Sequence, residues 1–190
     1  MKEADAALTA RQRGLLALLK MRQAGAETLD PYLREVASSP GLEALRGIDY
    51  FWKEYSFLSR CPFTAGLMRR QGVLRDEVTR LIREERLSAF IEEMTRLFLE
   101  RASRHPDPLV ATLARFEHAL AATAEGDPAE YRVEWDQDPY YVLGCLLDDQ
   151  PIDRERTRGA FVTVVSSAIE GRFRVEPRSA SQAATFSPGG

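Results

Sequence analysis

Histidine and cysteine are the side chains most often recruited as general bases, nucleophiles and metal ligands, and this chain holds two of each: His105, His118, Cys61 and Cys145. His105 stands beside Pro106 between two helical patterns and reads as a solvent-exposed loop residue. His118 follows Glu117 on a long predicted helix, where neighbours in sequence point in different directions and do not grip one ion together. The acidic pairs Glu84-Glu85, Glu92-Glu93 and Asp148-Asp149 diverge in the same way and read as solvated faces. A carboxylate-bridged metal bundle requires inward Glu-x-x-His pairs, and the sequence has none. Cys61 precedes Pro62 at a predicted helix start, where the helix dipole favours a thiolate. With no base adjacent, a small cap-like residue is the better reading. The two cysteines lack the spacing of a disulfide framework or a zinc site. No phosphate-binding glycine loop, H-E-x-x-H or G-x-S-x-G stretch occurs. The expectation is a chain with no catalytic residue, no metal site and no cofactor of its own.

Side chains suited to recognition are more plentiful. Phe51, Trp52, Tyr55 and Phe57 place aromatic rings nearly all round one helix, which calls for burial between helices and sheet or at an interface with a partner. Arginine dominates the basic residues, lysine occurring only at Lys2, Lys20 and Lys53. Arg69, Arg70, Arg75, Arg80, Arg83 and Arg86 form the one basic concentration, but Asp76, Glu77, Glu84 and Glu85 are interspersed, as in a salt-bridged face. A net charge of −3 offers no overall field for phosphate backbones, so nucleic acid is not the expected partner.

The elements that must position these groups are mainly helical. Leu8, Leu15, Leu16 and Leu19 are spaced for an amphipathic helix ending at Gly25. Asp30-Pro31 opens a short helix that Ser38, Ser39, Pro40 and Gly41 close. From Leu42 to Ser59, the residues Leu42, Leu45, Ile48, Trp52 and Tyr55 step by three or four, with Phe51 and Leu58 widening the stripe. Cys61-Pro62 restarts a helix that Gly72 breaks. Leu74, Val78, Leu81 and Ile82 mark the next, and Ser88 caps another whose buried face is Phe90, Ile91, Met94, Leu97 and Phe98. Asp107-Pro108 begins the last long helix, with Leu109, Leu113, Phe116 and Leu120 in its stripe.

After Gly126-Asp127-Pro128 the period changes to two: Tyr131, Val133 and Trp135 alternate with Arg132, Glu134 and Asp136. Asp138-Pro139 opens a helix with Val142, Leu143, Leu146 and Leu147, and Phe161 to Ser166 is apolar on both faces, as a central strand is. A turn at Glu170-Gly171 leads into Phe173 and Val175, and Pro177 ends the order. The predicted fold is therefore mainly α (α+β): a helical bundle over 1–126, a small β-α-β-β unit over 127–177 for peptide docking or packing, and a disordered tail over 178–190. The 44% hydrophobic and 29% charged composition suits a folded chain, and no apolar run is long enough for a bilayer. A cytoplasmic protein with no membrane partner is expected.

Trp52, then Cys61-Pro62-Phe63-Thr64, Phe90-Ile91-Glu92 and Phe98-Leu99, resemble the helical part of small partner proteins in pathways that modify ribosomally made peptides (RiPPs). Ala114-Arg115-Phe116-Glu117-His118-Ala119-Leu120, Trp135-Asp136-Gln137-Asp138-Pro139 and Leu146-Leu147 extend the resemblance, which is greatest to the accessory subunit of 3-thiaglutamate-type systems and more distant to methanobactin-type partners. It spans about residues 45–175 and lies in packing and capping residues. It implies a heterodimer with a multinuclear non-haem iron oxidative enzyme, iron held by that partner, and help in presenting a precursor peptide. On that reading Phe51, Trp52, Tyr55 and Phe57 form the enzyme interface. Arg172, Phe173, Arg174 and Val175, or Tyr131 to Trp135, form a strand edge to which an extended peptide adds, with Arg172 and Arg174 facing acidic peptide residues. A sheet that only covers the bundle is the plainer alternative. Two other classes stand beside this one: a winged-helix-like DNA-binding regulator, which needs a recognition helix between Leu147 and Gly159, and a thiol enzyme using Cys61.

Overall fold

Half of the described helices begin where an aspartate or serine meets a proline. The computed structural model describes residues 2–20, 30–84 and 90–178. Along them run α1 (Lys2–Leu19), α2 (Pro31–Ala37), α3 (Pro40–Arg60), α4 (Pro62–Arg70), α5 (Leu74–Glu84), α6 (Ile91–Ala102), α7 (Pro108–Ala124), β1 (Tyr131–Gln137), α8 (Pro139–Leu147), β2 (Arg158–Val165) and β3 (Phe173–Pro177). Asp30, Ser39, Asp107 and Asp138 each accept a backbone N–H from the first turn of the helix they precede. The proline that follows each has no N–H to leave unpaired. Ser39-Pro40-Gly41 thus opens α3 instead of only closing α2, because proline is as well suited to a first helical turn as to a break. Gly72 and Gly126, at φ 74° and 95°, end α4 and α7 in the left-handed turn that a Cβ disfavours. The expected helix end at Gly25 and the cap at Ser88 lie outside the described residues.

One core serves the later helices and the sheet together. α7 is buried nearly all round: Val110, Leu113, Ala114, Phe116 and Ala119 are inaccessible, and the helix packs on α4 and α6 on one side and on β1 and β2 on the other. Phe116 meets Trp135 and Phe173 edge to face, with ring centroids 5.6 and 5.1 Å away. A separate small cluster of Leu18, Leu33 and Leu42 joins α1, α2 and α3. Among the described residues no helix is long and apolar enough to cross a membrane.

The sheet is antiparallel in the order β1-β2-β3, with β2 central as its two apolar faces require. On the inner face the Trp135 Nε1–H donates to Thr163 Oγ1 at 3.0 Å, pairing both buried polar groups. On the outer face Val162 and Val164 are also buried. Ion pairs from β1 to the β3 side, Arg132 to Glu176 at 3.2 Å and Glu134 to Arg178 at 3.1 Å, must cross over β2 and roof these valines with their aliphatic stems. Arg178 also donates its backbone N–H to the Ala160 carbonyl, so order continues past Pro177, and residues 179–190 of the expected tail lie outside the described residues.

Outside α3, four positions depart from the periodicity expected. Phe90 is exposed instead of buried, being the residue before α6 where helical spacing does not yet hold. Leu147, expected in the face of α8, is exposed at its last turn. Leu8 and Leu16 of α1 are exposed as well, because among the described residues α1 packs chiefly on α2 and α3, through Leu18.

Candidate protein-docking face

α3 is a continuous helix of 21 residues, and its two sides have opposite fates. Leu42 near its start enters the small N-terminal cluster, and Phe57 near its end is fully buried, stacked on Phe98 with centroids 4.4 Å apart. Leu45, Ile48, Phe51, Trp52 and Tyr55 face away from both, each 55–58% exposed. Residues two positions apart on a helix point about 200° apart, so Phe57 lies opposite Tyr55 and cannot share its surface. Phe57 is therefore a core residue, which corrects its expected place at a partner interface. Phe51, Trp52 and Tyr55 are not buried between helices and sheet either; their rings contact one another at centroid distances of 5.7 to 6.3 Å.

This face carries no charge. Of the flanking ionic groups, Arg46 pairs with Glu43 at 2.6 Å and Lys53 with Asp49, while Glu54 lies beside Tyr50. Arg46 also donates to the Leu18 carbonyl at 2.7 and 3.0 Å, tying α3 to the end of α1. Taking 150–250 Å² as the area of an aromatic side chain, the five residues present on the order of 500–600 Å² of apolar surface, at the upper end of what monomeric proteins leave bare. Leu45 and Ile48 belong to this face, although their spacing places them in one apolar stripe with Leu42, which is buried. The missing signal is that the stripe is apolar while Leu42 and Phe57, outside its centre line, suffice to anchor the helix.

The β end holds the second set of predicted residues. β1 and β3 are both edges. Ser166 N–H donates to the Arg172 carbonyl and Arg178 N–H to the Ala160 carbonyl. With the register pairing Val164 to Arg174 and Val162 to Glu176, antiparallel alternation turns the backbone groups of Phe173 and Val175 outward. Pro177 follows in the same outward phase, where its missing N–H costs no ladder bond. The side chains answer differently. Phe173 packs on Phe116 and, at 6.1 Å, on Tyr140, so its ring belongs to the core side. Arg174 is bound to Glu176 at 2.8 Å, and Arg172, at φ 69°, belongs to the turn before the strand.

Sequence reading passed over Glu117. It is buried on α7, and its carboxylate accepts the backbone N–H groups of Phe63 at 2.8 Å and Thr64 at 2.9 Å. These are orphan donors of the first turn of α4, whose own cap residue Cys61 makes no side-chain bond. Glu117 thus caps α4 from another helix. Burial pushes its carboxyl up to about 7, while the hydrogen bonds to Thr64 and Phe63 pull the other way. The signal available was a lone acid inside the apolar run of α7. The Cys61 thiol is fully buried and raised above its ordinary range by burial and by the nearby Glu117, the direction opposite to that of an activated nucleophile.

Glu117 also lines a groove of about 910 Å³ between α6 and α7, with Arg60, Phe63, Glu92, Leu99 and His118. Among the described residues no group of three or more His, Cys, Asp or Glu is placed to hold a metal ion. His105 Nδ1 accepts the Asp107 N–H at 3.1 Å in the loop before α7. Within the arginine concentration, Arg70 donates to the carbonyls of Cys145, Leu146 and Gln150 and pairs with Asp149, closing the end of α8. Arg75 lies over the Tyr50 ring at 5.4 Å and Arg80 pairs with Glu77; Arg86 lies outside the described residues. Between α8 and β2, residues 148–157 form turns and no helix. Compared with protein-family models, curated proteins and solved structures, the chain matches none.

Proposed function

We propose that this chain is a non-catalytic partner subunit that binds and stabilises an iron-dependent, RiPP-modifying oxidative enzyme and helps recruit its precursor peptide. The observation that carries the interaction reading is the uncharged, exposed face of α3, Leu45, Ile48, Phe51, Trp52 and Tyr55. Aromatic enrichment without charge is the composition of an interface centre. The resemblance in residues 45–175 supplies the class of partner, a multinuclear non-haem iron enzyme that carries the iron. For the peptide, the outward N–H and C=O groups of Phe173 and Val175 on β3 offer a template for an added strand. The exposed faces of Arg172 and Arg174 then meet acidic peptide residues from the rim.

The test is capture of the tagged chain from its native cell at modest salt, with identification of bound proteins and assay of iron. A stoichiometric iron-bearing oxidative enzyme, lost with Trp52→Glu, is the expected result. Recovery of an iron-free chain with no protein partner at native expression overturns the reading.

A further inference from the structure

The α3 face has a shape as well as a composition. Its N-terminal end is small, with exposed Gly41 and Ala44 on the same side of the helix as Ile48. Its C-terminal half is large, with Phe51, Trp52 and Tyr55. Leu45, Ile48, Trp52 and Tyr55 alternate spacings of three and four, the seam of a paired helix. We infer that, in the free chain, this face is covered by a second copy of itself, the two α3 helices crossing antiparallel about a two-fold axis through Ile48. That arrangement sets Tyr55 over the partner's Gly41, Trp52 over the partner's Ala44 and Phe51 beside the partner's Leu45, so the large half of each copy fills the small half of the other.

Three physical points favour a second copy as the occupant. An isologous contact brings every residue near its own kind, so a flank of one sign would repel itself. Here Glu43 is paired with Arg46 and Asp49 with Lys53, and the remaining flanking acid, Glu54, lies six residues from the axis, which keeps its two copies about 18 Å apart. Two such faces together remove on the order of 1,000–1,200 Å² from water, where specific interfaces begin. Parallel pairing would instead stack the aromatic halves on each other and leave the glycine halves apart. The inference rests on the reading of α3 as the enzyme-docking face and adds its regulation: the enzyme and a second copy compete for one surface, so the free chain is a dimer that the enzyme takes apart.

Light scattering of the isolated chain at tens of micromolar gives the mass in solution, and a dimer is expected, against 21.4 kDa for one chain. Trp52→Glu and, independently, Ile48→Lys weaken dimerisation by about ten-fold or more, since each places a charge in the seam, with far-UV circular dichroism unchanged. Ile48→Cys, on the axis, forms an intermolecular disulfide under mild oxidation, whereas Leu147→Cys, still more exposed and on α8, does so about ten-fold more slowly. The native Cys61 and Cys145 are buried and give little background. A monomeric wild-type chain overturns the inference, as does a dimer indifferent to both charge substitutions or crosslinking no faster at Ile48. Enzyme capture is read separately: a monomer that still captures the enzyme removes the dimer and leaves the partner reading, and a dimer that captures none removes the partner reading and the competition and leaves the dimer.

Discussion

Glutamine at position 117 separates two effects that the wild-type carboxylate combines. Glu117 caps α4 through the Phe63 and Thr64 N–H groups, and burial lifts its carboxyl from 4.5 to about 7. In the unfolded chain the group ionises near its ordinary value, so from about pH 4.5 to 7 unfolding releases a proton. The stability contributed by the neutral buried acid is full below the unfolded value, is lost as pH rises toward the folded one, and levels off above it. At about 1.4 kcal/mol per unit, the loss between pH 5 and 8 is about 2–3 kcal/mol. Glu117→Gln does not titrate. Its amide keeps one acceptor and turns a donor toward the other N–H, costing about 1–3 kcal/mol at pH 5. The expected difference between wild type and variant therefore shifts by about 2–3 kcal/mol in the variant's favour as pH rises to 8, from about 1–3 kcal/mol against it to between about 1 kcal/mol against and 2 kcal/mol for it. Urea unfolding, followed by the emission of the buried Trp135 and by circular dichroism, measures both at each pH. Taking the difference cancels groups that titrate in both proteins. A gap that stays constant from pH 5 to 8 refutes the assignment of the raised carboxyl to Glu117.

The other predictions concern single contacts. Phe57→Ala lowers unfolding free energy by about 3–5 kcal/mol by opening a cavity against Phe98, while Trp52→Ala changes it by only about 0.5 kcal/mol and reduces partner capture; urea titration and pull-down distinguish them. Arg70→Ala costs about 1–3 kcal/mol in the same assay, since it unpairs the carbonyls of Cys145, Leu146 and Gln150 at the end of α8. Val175→Pro removes an outward N–H and weakens binding of an extended peptide with the fold intact, whereas Arg174→Pro removes a ladder bond to Val164 and destabilises the sheet. Peptide affinity measured beside thermal unfolding shows whether β3 is the docking edge.

Much of this architecture is local in origin and is legible residue by residue. Asp30, Asp107 and Asp138 before proline mark helix starts because a cap and a preset φ act within one turn. Gly72 and Gly126 mark helix ends because the left-handed turn excludes a Cβ. The period of two in Tyr131, Val133 and Trp135 and the two-sided apolar run of β2 declare a sheet with β2 in the middle. Tertiary contacts decided the rest, because an apolar stripe states what is able to be buried and not whether anything is there to bury it. α3 illustrates the point: Leu45, Ile48, Trp52 and Tyr55 have the spacing of a core face, but the helix is anchored through Leu42 and Phe57 and its stripe faces outward. Glu117 is the converse case, a charged residue by sequence that packing places over a helix end with unpaired N–H groups 53 and 54 positions away in the chain. Spacing within one helix carries no information about a partner so distant, and only the fold brings the two together.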